Sequence, residues 1–237
     1  MSLHKVYYNY LHEQNPDFSP FCLDDVSFDI KQEPIDTSSP YNTCPVWKHR
    51  TNRVFTVRSP FDFHLKITKD NVFSDTHTQD QLRQLIMLAP GYVTENRIIV
   101  QMMLPRILFW TKSKNIWIEA SNHPSSSSDN NYTLMEGWFN LSNWTRPLAF
   151  GFQFHDLNKD VSFKRGDPLF NVRFFSNNLD DGYKLIRQEP PQNILSQSRR
   201  RSSIKDYFSP IPSDILNKLF KNKQKSKCPF NFLWSDK

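Results

Sequence analysis

The chain has 237 residues, is 38% apolar and 14% aromatic, carries a formal net charge of +6, and holds only five Gly against sixteen Pro. That length fits one domain with appendages or two small ones. No run of about 18 apolar residues occurs, and no apolar stretch near the start precedes a small-residue cleavage site. Neither a membrane-spanning helix nor a secretory leader is therefore expected. Twenty Phe must supply most of the core, which is feasible because each aromatic buries roughly 150–250 Å². Cys22, Cys44 and Cys228 sit in no Cys-x-x-Cys and read as reduced thiols of a cytosolic compartment.

Charge is unevenly spread. Residues 1–44 set two lysines against seven carboxylates, whereas residues 199–227 set nine cations against Asp206 and Asp214. An acidic end and a basic end imply partners of opposite sign.

In chain order, residues 1–45 hold five Pro and scattered aromatics without sustained periodicity, and read as an extended arm lying on the body or a neighbour. Val26–Ile30 is one short candidate strand in it. Val46 opens the body. Val54–Val57 and Phe61–Ile67 read as two strands broken at Ser59-Pro60, the second with Phe61, Phe63, Leu65 and Ile67 on one face. Thr78–Leu88 is the best early helix, ended by Pro90-Gly91. Ile98–Leu104 reads as a strand buried on both faces. Ile107–Trp110 and Ile116–Ala120 follow, with Lys112–Asn115 as a hairpin turn between them. Ser121–Asn131 is a polar loop.

Glu136–Ser176 organises the rest. Leu148, Phe150, Phe152 and Phe154 alternate with Ala149, Gly151, Gln153 and His155; Val161 and Phe163 resume after a polar break; Phe170, Val172 and Phe174 follow a Lys164–Pro168 corner. Three strands with one dry aromatic face are expected. Tyr183–Ile186 adds a last strand. Beyond it, Ile194–Tyr207 and Ile215–Lys221 are candidate helices, the second capped at Pro212–Asp214. The fold class is thus mainly β: an antiparallel β-sandwich or jelly-roll-like body over residues 46–187, of roughly eight to ten strands with one inserted helix. It is flanked by the acidic arm over 1–45 and a basic, partly helical tail over 188–237.

Chemical motifs are scarce. No histidine has a His, Asp or Glu two positions later, so no strand-borne metal site is expected; no cofactor is expected either. There is no Gly-x-Ser-x-Gly, and five scattered glycines form no phosphate-cradling loop. The Arg165-Gly166-Asp167 triplet reads as a turn, in which Gly supplies positive φ. A pocket lined by Trp138, Trp144, Arg146 and Arg173 is one candidate site, the two arginines clamping a carboxylate or phosphate; the competing reading is an aromatic core edge with solvent-facing arginines. Arg199, Arg200, Arg201 and Lys205 are candidate partner contacts on an acidic surface, with Phe230, Phe232 and Trp234 as apolar anchors. Residues 199–227 also suit nucleic acid, their cations able to track phosphates.

Two resemblances add to this. The segment Val161–Phe174 resembles the barrel-closing turn of dUTPase-like jelly rolls, without that family's other motifs. More broadly, Cys44-Pro-Val-Trp-Lys-His-Arg, Val57-Arg-Ser-Pro-Phe-Asp-Phe, Glu136-Gly-Trp-Phe, Arg146-Pro-Leu-Ala-Phe and Phe163-Lys-Arg-Gly-Asp-Pro-Leu-Phe-Asn-Val-Arg-Phe together resemble an uncharacterised family of tailed bacteriophages, notably large contractile-tailed phages of marine cyanobacteria. The likeness spans roughly residues 44–176 and carries no catalytic residue. It implies a viral origin, in a virion or the host cytoplasm. The expected role is that of a non-enzymatic structural or assembly protein binding other phage proteins, or itself, through its arms. A jelly-roll enzyme or ligand-binding protein for a small anionic molecule, and a nucleic-acid-binding regulator, are the alternatives.

Overall fold

The structure is a computed structural model that describes residues 2–11, 30–32, 43–67, 72–88, 98–124 and 131–207. In chain order the elements are β1 (Leu3–Tyr10), α1 (Pro45–Thr51), β2 (Val54–Arg58), β3 (Phe63–Ile67), β4 (Val72–Phe73), α2 (Gln79–Leu85), β5 (Ile86–Leu88), β6 (Ile99–Met102) and β7 (Ile107–Thr111). They continue with β8 (Trp117–Asn122), β9 (Tyr132–Leu134), β10 (Gly137–Asn140), β11 (Pro147–Leu148), β12 (Gly151–Phe154), β13 (Val161–Phe163), β14 (Pro168–Phe175), β15 (Gly182–Arg187) and α3 (Gln192–Tyr207). The protein is mainly β, as its alternating pattern predicts.

The strands form four sheets, in the orders β11-β7-β1-β15, β10-β8-β14-β2, β5-β6-β12-β9 and β13-β3-β4. The first two face each other. Phe109 of β7 and Phe174 of β14 meet edge-on at 5.8 Å, and Phe174 also reaches Tyr183 of β15 at 6.1 Å. The other end of β14 meets the third sheet, where Phe170 stacks on Phe150 at 5.5 Å and 6°. Phe150 in turn contacts Phe163 of β13 at 6.1 Å, and Phe163 stacks on Phe63 of β3 at 4.9 Å. The inward residues of β14 thus join all four sheets in one aromatic core, with Phe150, Phe152, Phe154, Phe170, Val172 and Phe174 fully or almost fully enclosed. Ring pairs at these separations each add about 0.5–1.5 kcal/mol beyond the area they bury.

Several expectations need correction. The first concerns residues 1–45. Leu3–Tyr10 is an inner strand of the first sheet, antiparallel to β7 and parallel to β15. The body therefore starts well before residue 46, and its first sheet is mixed rather than purely antiparallel. Val6, Tyr8 and Tyr10 are buried, while Tyr7 on the opposite face stacks on Trp110 at 5.8 Å. Tyrosines on both faces hide the alternation from a polar–apolar reading. Part of the expected arm also returns: Thr56 N–H donates to Lys31 O at 2.9 Å, and Ile30 N–H donates to the Tyr8 hydroxyl at 3.1 Å. Val26–Asp29 lies outside the described residues.

The second correction is the Lys112–Asn115 turn. It makes no hairpin, because β7 belongs to the first sheet and β8 to the second. The turn carries the chain across the sandwich, with Asn115 at φ 57° and Ile116 buried directly after it. Similarly, Leu148 and Phe152 lie on strands of different sheets, β11 pairing with β7 and β12 with β6 and β9.

The helix expected over Thr78–Leu88 stops at Leu85. Thr78 caps it in a reciprocal box with Gln81, satisfying two otherwise orphaned N–H groups. Ile86 turns extended, and Ile86–Leu88 pairs with Val100–Met102. Strand β6 alternates rather than being buried on both faces, with Val100 and Met102 inside and Ile99 and Gln101 half-exposed. Helix α1, where Val46 is exposed, has no sequence signal beyond Pro at its first position. The Gly166 corner is a turn as expected, at φ 90°, closed by Lys164 N–H donating to Asp167 Oδ2 at 2.8 Å. The candidate helix Ile215–Lys221 lies outside the described residues.

Phe152→Ala is expected to lower stability by about 3–5 kcal/mol, a melting-temperature drop on the order of 10 °C for a chain of this size. Thermal denaturation followed by circular dichroism measures it; a drop of a degree or two would show that the ring is not a core element.

Candidate functional site

Two arrangements stand out, one on a sheet face and one at a sheet end. On the second sheet the register aligns Trp138 with Glu119, Glu119 with Arg173, and Arg173 with Val54. These four residues form one row on the face opposite the core. Arg173 Nη2 is ion-paired with Glu119 Oε2, and its guanidinium lies over the Phe175 ring, 5.5 Å from the centroid. Phe175 stacks on Trp117 at 6.3 Å and 14°. Trp138 at the end of the row is 70% exposed, the one indole among the described residues so fully offered to solvent. In the neighbouring row, where Asn171 is in register with Thr56, the face closes: Thr56 Oγ1 donates to Asn171 Oδ1 at 2.9 Å, both side chains buried.

Of the four residues predicted to line a ligand pocket, only Trp138 and Arg173 share this face. Trp144 lies in the turn after β10, its ring 5.5 Å from Phe139. Arg146 precedes β11, a strand of the first sheet. Arg173 is committed to Glu119 and does not stand open as half of an anion clamp. Of the predicted partner contacts, Arg199 and Arg200 are exposed on α3, whose opposite side docks through the buried Ser198. Gln197 Oε1 lies 3.4 Å from Thr145 Oγ1. Arg201 and Lys205 lie on the same helix, and Phe230, Phe232 and Trp234 fall outside the described residues.

No sequence pattern points to the second arrangement. Asp181, in the turn before β15, accepts at Oδ1 from Ser2 N–H at 3.0 Å and Asn178 Nδ2 at 3.1 Å. Its Oδ2 lies 2.8 Å from Ser176 Oγ and 2.9 Å from His4 Nε2. The other ring nitrogen, His4 Nδ1, is 3.1 Å from Ser113 Oγ. The His4 ring is stacked on Tyr183 at 5.7 Å. Three remote segments thus converge at one end of the first sheet. The bond from His4, then that from Ser176 and the Ser2 N–H, hold the Asp181 carboxyl at about 2, against burial, which raises it. The only sequence signals were two polar turns, Lys112–Asn115 and Asn177–Gly182.

Two further polar clusters are shallower. His155, exposed past the end of β12, hydrogen-bonds through Nε2 to Thr133 Oγ1 at 2.5 Å, and both line an open cleft of about 380 Å³ with Glu136 and Gln153. Glu136 Oε1 accepts from both nitrogens of Asn122 at 2.8 Å. His64 bridges Asp160 at 3.0 Å and Asp75 at 3.1 Å, a surface pairing of small energetic worth. Among the described residues no group of three His, Cys, Asp or Glu is placed to hold a metal ion, and no helix is long and apolar enough to cross a membrane. No protein-family profile matches the chain, and no curated protein matches it.

The Asp181 network gives a pH prediction. A carboxyl held low in the folded state binds its proton more readily once unfolded. Its stabilisation is therefore complete above pH 4 and is lost as pH falls toward 2. Asp181→Asn should melt several degrees below the parent at pH 7 and lose part of the parent's decline between pH 4 and 2. Parallel melting curves across that range would refute the assignment.

Proposed function

We propose that this chain is a structural or assembly protein of a tailed bacteriophage, acting in the virion or the host cytoplasm by binding other phage proteins or further copies of itself. The observation that carries this reading is the Trp138 row. An indole ring 70% exposed stands in register with the Glu119–Arg173 pair and next to the Trp117–Phe175 stack. Trp, Tyr and Arg are enriched among the few residues that carry most of the binding energy of protein interfaces, where association packs them and strips their water. The order of sequence motifs over residues 44–176 supports the phage origin. Arg199 and Arg200 on the outer side of α3 favour a partner surface of acidic character, since complementary charge speeds and orients encounter. The face contributes binding, with no bond-breaking step.

In cells infected by the parent phage, peptide mass spectrometry is expected to find the chain in purified virions or in assembly intermediates. Trp138→Ala should weaken its incorporation by about tenfold or more while moving the melting temperature by no more than about 2 °C. A chain found only free, or one whose incorporation ignores Trp138→Ala, contradicts the proposal. A nucleic-acid partner would announce itself differently, through affinity that falls steeply with salt and vanishes with residues 199–227.

A further inference from the structure

We infer that Ser113 is an activated nucleophile, with His4 as its general base and Asp181 as the residue that positions the base, and that this end of the first sheet supports acyl transfer from small esters. The inference rests on the geometry at that end and is independent of the Trp138 row.

Elementary hydrogen-bond logic fixes the roles. An ionised Asp181 only accepts, so His4 Nε2, at 2.9 Å from it, carries a hydrogen. In the neutral ring the other nitrogen then holds a lone pair. That nitrogen, Nδ1, is 3.1 Å from Ser113 Oγ, within reach for taking the hydroxyl proton. Every oxygen of Asp181 is held by a second partner, Ser2 N–H and Asn178 on one side and Ser176 on the other. Stacking on Tyr183 fixes the plane of the His4 ring. A nucleophile bonded to a base, and a base oriented by a carboxylate, is the constellation that recurs on unrelated folds in acyl transfer, whatever its order along the chain.

A purely structural tie would not need the serine. The start of β1 is already fastened to the turn before β15 by Ser2 N–H on Asp181 and by Gly182 N–H donating to Ser2 O at 2.8 Å. Ser113 comes from a third segment, the crossing turn, between Lys112 and Lys114, which are both exposed. Asn115 is in the left-handed region at φ 57°, and the Ile116 N–H that follows it donates to Ser142 Oγ at 3.0 Å. Among the described residues neither the Lys114 nor the Asn115 N–H donates to a protein group. Those two donors, next to the serine, are the groups available to a developing oxyanion. The flanking ammonium groups favour esters that carry a negative charge.

The step balances without any co-reactant beyond water. Ser113 Oγ attacks the ester carbon while its proton moves to His4 Nδ1, and the imidazolium is stabilised by Asp181. The bond to the leaving alkoxide breaks, and that oxygen takes the proton from Nδ1. Water then attacks the acyl carbon, losing a proton to Nδ1; the bond to Ser113 Oγ breaks, and Oγ regains the proton. The products are a carboxylic acid and an alcohol.

The test treats the full-length folded chain with a fluorophosphonate probe, which phosphonylates activated serines with loss of fluoride, and locates the label by peptide mass spectrometry. Label is expected on Ser113 and not on the neighbouring Ser142, and should disappear on heat denaturation. Ser113→Ala should abolish it and leave the melting temperature within about 2 °C of the parent. His4→Gln should slow labelling by about 100-fold or more. Asp181→Asn should slow it too, with Asp181→Glu restoring part of the rate, a rescue that a merely structural role does not predict. If a variant fails to fold, the parent still decides. An unlabelled Ser113 in the native chain, or labelling equal to that of the denatured chain or untouched by His4→Gln in folded protein, overturns the inference. A chain incorporated into virions with an inert Ser113 would overturn this inference alone and leave the assembly reading standing.

Discussion

The structure depends on large flat rings being packed against both ends of a single strand. Phe174 of β14 faces the first sheet through Phe109 and Tyr183, and Phe170, four residues earlier, faces the third sheet through Phe150. Rings at such distances leave little slack, because interiors are packed as densely as organic crystals. Register is therefore tightly specified. A slip of one residue along β14 would turn Asn171 and Arg173 inward in place of Phe170, Val172 and Phe174. The Gly166 corner, held by Arg58 Nη1 donating to the Gly166 carbonyl at 2.8 Å, sets where that strand begins.

The period of two that dries one face also produces the other. Asn171, Arg173 and Phe175 are the outward residues of β14, and each finds an answer across the sheet: Thr56, Glu119 and Trp117. The result is a face of mixed chemistry with one ring, Trp138, left without such cover. At the strand ends the demand is different. Backbone groups and turn side chains need partners there, and Asp181 gathers them from Ser2, His4, Ser176 and Asn178. The aromatic interior thus leaves reactive groups at the periphery, where loops usually carry function on a rigid scaffold.

Much of this architecture can be read from residue order, and the failures have identifiable causes. Phe63–Ile67, Gly151–Phe154, Val161–Phe163 and Pro168–Phe175 are strands because their Phe and Val residues alternate with polar ones over several positions. The inserted helix is legible at its start, where Thr78 and Gln81 form a capping box, and illegible at its end, where sheet pairing overrides a continuing apolar pattern at Ile86. Strand β1 escapes because Tyr is apolar in body and polar at the tip, and because a cross-strand partner, Trp110, shelters its outer face. The false hairpin at Lys112–Asn115 shows a general limit: turn residues tell that the chain reverses, never which sheet receives it. Trp138 and Arg173 are legible as residues, but their partnership runs through Glu119, which only strand register brings between them. His4, Ser113 and Asp181 lie more than a hundred and more than sixty residues apart in sequence, so no spacing rule reaches them.

The parallel pairing of β1 with β15 has a bearing on how the chain matures. Leu3 aligns with Gly182, and Tyr8 with Arg187, so β1 leaves the ribosome roughly 180 residues ahead of its parallel partner. At about 5–20 residues per second the interval is roughly ten to forty seconds. During it β1 can be sheltered on one flank by β7, whose pairing partners emerge sooner, while its other flank stays an unpaired row of amides and carbonyls. Nascent chains crowded on one message would present that flank to each other. Sparse loading of ribosomes on the message, or a chaperone that covers extended segments, would limit the encounters of that flank with other chains.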